Sequence, residues 1–476
     1  MSVASDRPAN SSGSGEAASS PAIDQAGELR SVRVESLRAI GVLGVLVAHT
    51  LGWASYYGPE ISQGAVDRAV ALGTQASPFL LFVLSGCLLY GPFARRDLGR
   101  GDPINLRRYA INRVLRILPL YYAVLLVLFV FQEHGGTLKK WAIYASFSQN
   151  FVASPNFQIN RVMWYMVIEL HFYLVLPLLA FLLARASGGS RGRAALFLVT
   201  LGFASYVFFM FAWHLDPVPN PFWRFSLLST FFFLAAGMLL ALIRLSWEEQ
   251  RPGWLRGPLA SADLWIAASA GLCALNIFWQ FSLPSMNAMV IILLVSVLLV
   301  GACVLPLRTG PLVRVLEWRP LAVIGVASYS LYLWHDPVLK ALAKSSWAPS
   351  GFVGLLAVGL PLCCLVAFAS YALIEAPFLR LRRRWARSTP RHSETPAGNR
   401  YKTPVRVPRT TALTTAAMVG ALAVGILFAA LNPGPSAQTD NMKTRGMAEG
   451  KILHPADGAG KAGASESPLP GGEDSK

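Results

Sequence analysis

The stretch SLRAIGVLGVLVAHTLGWA, residues 36–54, decides the fold. It is apolar over nearly a bilayer's thickness, yet it holds Arg38 near its start and His49 toward its end. Roughly 20 apolar residues cross a hydrocarbon core as a helix. Inside that core the backbone has no hydrogen-bond partner but itself, so the helix is nearly forced. Working outward, about eleven such runs follow one another, near 36–54, 71–91, 114–131, 163–184, 194–213, 226–245, 262–280, 285–306, 321–342, 351–378 and 410–431. The expected fold is all-α: a polytopic transmembrane helix bundle, with a core of about ten helices over 31–385 and one extra C-terminal helix at 410–431.

Composition agrees. Of the 476 residues 54% are hydrophobic and 14% charged, and the mean hydropathy is +0.46. A soluble domain carries about 25% charged residues. The net charge of +17 would suggest nucleic acid in a soluble protein. Here the arginines lie in short loops between apolar runs, and no basic, aromatic-interleaved domain is left over, so nucleic-acid binding is excluded. Cys87, Cys273, Cys303, Cys363 and Cys364 all sit in apolar runs without metal-ligand spacing. They read as small buried hydrophobes, and no metal is expected.

Loop charge sets the topology. The second connection holds Arg95, Arg96, Arg100, Arg107, Arg108 and Arg113, and the fourth, sixth, eighth and tenth are also arginine-rich. The odd connections are poor in Lys and Arg, with Arg68, Lys139, Lys140, Arg161, Arg224 and Lys344 as their main positives. The positive-inside rule then puts the N-terminus in the cytoplasm and, after an odd number of spans, the C-terminus outside a cell (inner) membrane. Residues 1–30 are expected to be a disordered cytoplasmic tail without the apolar region of a cleaved signal. Residues 386–409 read as a basic cytoplasmic linker and 432–476 as a disordered extracytoplasmic tail, with no second folded domain.

Ionisable groups inside spans are costly and mark function by default. Arg38 and His49 are 11 residues apart, which returns to nearly the same helix face, about 16 Å along the axis. Glu35, three residues before Arg38, is placed to pair with it. A snorkelling anchor is the competing reading for Arg38, and a polar group near the outer interface for His49. Glu169, in MWYMVIELHFYLVLPLL, must pair or be protonated; the competing reading is a structural partner for an arginine. His171 points to another face. His335 and Asp336, one turn after Tyr332, compete with an interfacial belt around Trp334. Glu375 reads as a partner for a loop arginine. Arg113 and Arg116 share a face at the entry to the third span. With Arg107 and Arg108 they form a cationic patch suited to phosphate, although topology also explains loop arginines.

Six stretches, in order over about residues 30–385, then carry a resemblance: ESLRAIGVLGVLVAH, FLLFVLSGCLL, NRVLRILPLYY, WYMVIELHFYLVLPLL, ASYSLYLWHDPV and YALIEAPFLRL. Together the sequence resembles the acyltransferase-3 membrane O-acyltransferases of bacteria, whose signature is an arginine, ten residues and a histidine. Glu35 and Ser36 replace the commoner Asp-Gly, Cys87 stands where Phe is frequent, and His171 where Gln is common. Some members add a soluble esterase-like domain, and a two-step transfer relying on one would need a separate protein here.

The resemblance implies acyl-CoA, by expectation acetyl-CoA, as co-substrate from the cytoplasm, and a sugar-containing acceptor hydroxyl. It implies that His49 is catalytic, as base or acyl carrier, and that Arg38 is its functional partner. Glu169 joins them as a catalytic candidate. Arg113, Arg116 and Arg108 would hold the donor phosphates. Glu35, Trp164, Tyr173, Tyr332, His335 and Glu375 are expected to bind substrate or support the site. The alternative is a transporter or flippase for a lipid-linked or small polar solute, since intramembrane His, Glu and Arg also serve proton relays. The two halves show no internal repeat of the transporter kind, which disfavours it.

Overall fold

The computed structural model describes residues 21–57, 64–97, 101, 103–132, 137–151, 159–214, 224–250, 252–253, 257–282 and 288–387. Every extended regular element among these is helical, and an isolated bridge pairs Ser261 with Arg308. Eight helices among the described residues are long and apolar enough to cross a membrane. The expected eleventh span at 410–431, the tail after it, nearly all of the linker 386–409 and residues 1–20 lie outside the described residues.

The quoted stretch lies in α1 (Pro21–Tyr57), which begins ahead of its apolar run. The expected span 71–91 divides into α2 (Ala65–Thr74) and α3 (Ser77–Asp97). Pro78 has no amide to give Thr74's carbonyl, so the helix breaks there. Then come α4 (Leu106–Phe131), started by an Asn105 cap on the Arg108 amide at 2.9 Å, and α5 (Leu138–Ala145). Next are α6 (Met163–Ser187), stopped by left-handed Gly188 at φ 52°, and α7 (Arg191–His214). The bundle continues through α8 (Leu227–Glu249), α9 (Ala262–Ser282) and α10 (Met289–Val304).

The last third departs from expectation. Helix α10 has 16 residues, short for a span. The span expected over 321–342 is not continuous: α11 (Pro311–Val315) and α12 (Arg319–Val326) precede a break at Ala327, and α13 (Ser328–Lys344) follows. The cause is contact. A Cβ on Gly325 would collide with the backbone of Glu35, so α12 lies directly against α1 and the chain must turn before resuming. Finally α14 (Gly351–Ser370) passes through a π-helical turn, Tyr371–Glu375, into α15 (Ala376–Arg387).

Helix α1 is the hub, packing against α2, α3, α10, α12, α13 and α14. Its Arg33 Nε donates to Glu317 Oε1 at 2.9 Å, tying its first half to the turn before α12. Helices α3 and α8 meet backbone to backbone: a Cβ on Gly86 would strike the Leu234 carbonyl, and one on Gly237 the Val83 carbonyl. Lipid tails are as apolar as leucine, so close approach at small residues is what drives such pairs together.

Candidate active site

Two polar layers lie along α1, one at its Arg38 end and one at its His49 end. At the Arg38 end, Arg38 Nη1 donates to Glu35 Oε1 at 2.7 Å across one helical turn. Glu375, 3% exposed, is brought alongside by the π turn and accepts from Ser330 Oγ at 3.0 Å. Arg116, almost three turns into α4, stands within electrostatic reach of Glu375, Tyr173, Glu35 and Glu169. Glu169 on α6 accepts from the hydroxyls of Tyr173 at 2.6 Å and Ser85 at 2.8 Å. These oxygen donors satisfy a carboxylate where water does not reach. Arg113 lies over the rings of Tyr109 and Tyr173, 5.5 and 5.4 Å from their centroids. Its buried Nε has no hydrogen-bond partner among the described residues. A buried, unbonded guanidinium nitrogen with a second half-buried arginine on the same face of α4 fits an anionic group such as phosphate.

At the other end His49 is joined by α13 and by the turn before α6. His49 Nδ1 lies 3.1 Å from His335 Nε2 and 3.5 Å from Asp336 Oδ1. His335 is fully buried, and its Nδ1 lies 3.2 Å from the Leu331 carbonyl. Asp336, 3% exposed, accepts from Trp53 Nε1 at 3.0 Å and from Arg161 Nη2 at 3.4 Å. Two donors on separate segments, Trp53 on α1 and Arg161 on the turn before α6, thus converge on one carboxylate oxygen, with His49 Nδ1 alongside it. The His49 side chain remains 27% exposed, so a substrate hydroxyl can reach its ring. Asn160 Nδ2 donates to the Leu333 carbonyl and Tyr332 Oη to the Val162 carbonyl, at 2.9 and 3.0 Å, and these bonds hold the turn bearing Arg161 onto α13.

The sequence candidates therefore sort by place. Arg38, Glu35, Arg113, Arg116, Glu169, Tyr173 and Glu375 gather at one end, and His49 and His335 at the other. The rings of Tyr165 and Tyr332, 5.1 Å apart, lie between α6 and α13, and Tyr332 lies 5.8 Å from His335. Arg108 is exposed at the start of α4, apart from both layers. Trp164 packs on Phe82 and Phe225, and His171 on Phe151. Sequence reasoning passes over Trp53 and treats Arg161 as topology alone. The available signals are that Trp53 is one turn after His49 and that Arg161 is a cation on a connection otherwise poor in them.

The family profile described as "Acyltransferase domain" matches residues 32–374, which include both layers except Glu375. The chain is 23% identical over 369 residues to the peptidoglycan O-acetyltransferase OatA of Listeria monocytogenes, covering 72% of this chain and 55% of that one. It is 24% identical over 371 residues to YrhL of Bacillus subtilis, covering 72% and 54%. It is 24% identical over 381 residues to Nodulation protein 10 of Rhizobium leguminosarum, covering 73% and 92%. The chain thus spans about half the length of the first two of these relatives. No solved structure matches it significantly. With a matched profile over more than two thirds of its length, and with the arginine–histidine helix at the hub of its bundle, the chain belongs to the acyltransferase-3 family.

Proposed function

We propose that this protein is an integral-membrane O-acyltransferase that moves an acyl group, acetyl by preference, from cytoplasmic acyl-CoA to a hydroxyl of a sugar-containing acceptor. The observation that carries the reading is His49 itself, a partly exposed imidazole held by buried polar groups, at the far end of the helix that bears the Arg38 layer. The name of the Listeria relative supports a polysaccharide acceptor and an acetyl group. In this reading the arginine-rich end faces the cytoplasm, and the N-terminus lies on that side.

Arg113 and Arg116 bind the donor's phosphates, with Arg108 outside them at the entrance, and Arg38 guides the arm that follows. The separation of about 16 Å along α1 suits the long pantetheine chain, which delivers its thioester to His49. An alcohol is a poor nucleophile at neutral pH and needs a base. His49 takes the acceptor hydroxyl proton as the oxygen forms its bond to the thioester carbon. The carbon–sulfur bond then breaks, and the proton passes from His49 to the departing sulfur, so ester and CoA thiol leave with atoms and charge balanced. Glu169 and Glu375 keep the inner cations spaced and oriented.

The test uses full-length protein in lipid nanodiscs with acetyl-CoA, reading CoA thiol release with and without envelope glycan. It is paired with mass spectrometry of glycans and lipids from cells with and without the gene. Acceptor-dependent CoA release and a lost mass of one acyl group are expected. Neither signal, or solute transport without CoA release, would overturn the reading.

A further inference from the structure

The outer layer contains more than the proposed base. His335 has no exposed surface, yet its ring is held at both nitrogens. A carbonyl oxygen carries no proton, so the 3.2 Å contact between His335 Nδ1 and the Leu331 carbonyl requires the hydrogen to be on Nδ1. In neutral His335 the lone pair is then on Nε2, which faces His49 Nδ1 at 3.1 Å. That contact is a hydrogen bond only if His49 carries its own hydrogen on Nδ1. The His49 lone pair is left on Nε2, the nitrogen that faces away from His335. The neutral form of His335 closes this chain, because Asp336 already has its cation in Arg161 and a second donor in Trp53.

We infer that His335 is a positioning residue that fixes the tautomer of His49, so that Nε2 is always the basic nitrogen presented to the acceptor. The inference rests on the proposed acyl transfer and sharpens it. Asp336 has a separate task. At 3.5 Å from His49 Nδ1 it is beyond the closer imidazole bond but near enough to balance the positive charge that His49 gains with the acceptor's proton. A carboxylate alone would do both jobs in a Ser-His-Asp arrangement. Here an imidazole anchored to backbone sets the proton position, and a carboxylate anchored by Trp53 and Arg161 supplies the charge. The hydroxyl proton goes to Nε2 and from there to the thiolate sulfur. The Nδ1 hydrogen never leaves His49, and His335 gains and loses nothing.

The test compares two replacements of His335 in the full-length protein. His335→Gln keeps an oxygen that can accept from His49 Nδ1. His335→Phe fills the space and offers no acceptor. A wrong tautomer costs about 10⁴ in turnover in the serine-protease case. His335→Phe is expected to lower kcat at least a hundredfold with KM for acetyl-CoA unchanged, and His335→Gln to recover at least tenfold over it. A packing role predicts the reverse order, and that order, or equal activities, would overturn the inference. A second readout needs no variant of His335. Nitrogen NMR of isotope-labelled wild type, with His49 assigned by loss of its signals in His49→Ala, should show the unprotonated ring nitrogen at Nε2. Finding it at Nδ1 overturns the inference whatever the kinetics. If His49→Ala keeps full activity, the proposed function itself fails. If that variant is dead while His335→Phe behaves as wild type, only the role of His335 fails.

Discussion

Arg161 sits over the indole of Trp53, with Cζ 4.4 Å from the ring centroid, and both side chains reach the same oxygen of Asp336. Tyr57 stacks on the same indole, with centroids 5.6 Å apart. Trp53→Phe keeps an aromatic ring in the stack but removes the N–H along with part of the indole's bulk. Leaving a buried carboxylate one donor short should cost about 1–3 kcal/mol. Chemical unfolding in detergent would read it. Unchanged stability would mean that the Trp53 N–H contributes nothing net to holding Asp336.

His49→Ala should abolish acyl transfer and leave membrane insertion and thermal stability close to wild type. The side chain is 27% exposed, and its loss opens no sealed core. The measurement is CoA release alongside an unfolding curve. Full turnover would remove His49 from the chemistry.

Arg113→Ala and Arg116→Ala should each raise KM for acyl-CoA by about tenfold, the worth of one charge-assisted hydrogen bond at roughly 1.5 kcal/mol, with kcat little changed. Arg108→Ala, at an exposed position, should change KM by no more than about twofold. Equal effects at all three positions would point to general surface charge, and the salt dependence of KM would show it.

Gly325→Ala places a methyl against the backbone of Glu35, whose carbonyl carbon would be 2.5 Å away. Overpacking of that kind costs about 1–3 kcal/mol. It should also move the Glu35–Arg38 pair and weaken donor binding. Gly271→Ala in α9 is the control, since a Cβ there meets nothing within 4 Å. It should be neutral or slightly stabilising, because alanine has less freedom to lose on folding. Matching effects at the two glycines would separate the α1–α12 contact from donor binding.

Much of the bundle is readable in the chain because lipid leaves the backbone one solution. Runs of apolar residues become helices almost regardless of propensity. Local pairs are equally readable: Glu35 and Arg38 are three residues apart and meet. The breaks at Gln75 and Ala327 are harder, because hydropathy runs straight through them while a proline or a close helix contact decides. The convergence on Asp336 is harder still. Trp53 lies 283 residues from it in sequence and Arg161 175, and no periodicity relates such distant positions. The chain does mark His335 and Asp336 as unusual. Which of them touches His49 depends on how α13 is rotated after its break, and only the packed bundle sets that.

The turn Tyr371–Glu375 is one residue wider than an α-helical turn. A π turn of this kind behaves as a one-residue insertion retained within a helix, and such insertions concentrate at functional positions. Each residue in a helix advances the facing direction by about 100°. The widened turn therefore acts as a phase shifter: it re-indexes the chain after it, and Glu375 at its end faces inward within electrostatic reach of Arg116. Shortening the turn by one residue would leave every amino acid of the layer present and turn the carboxylate away from it.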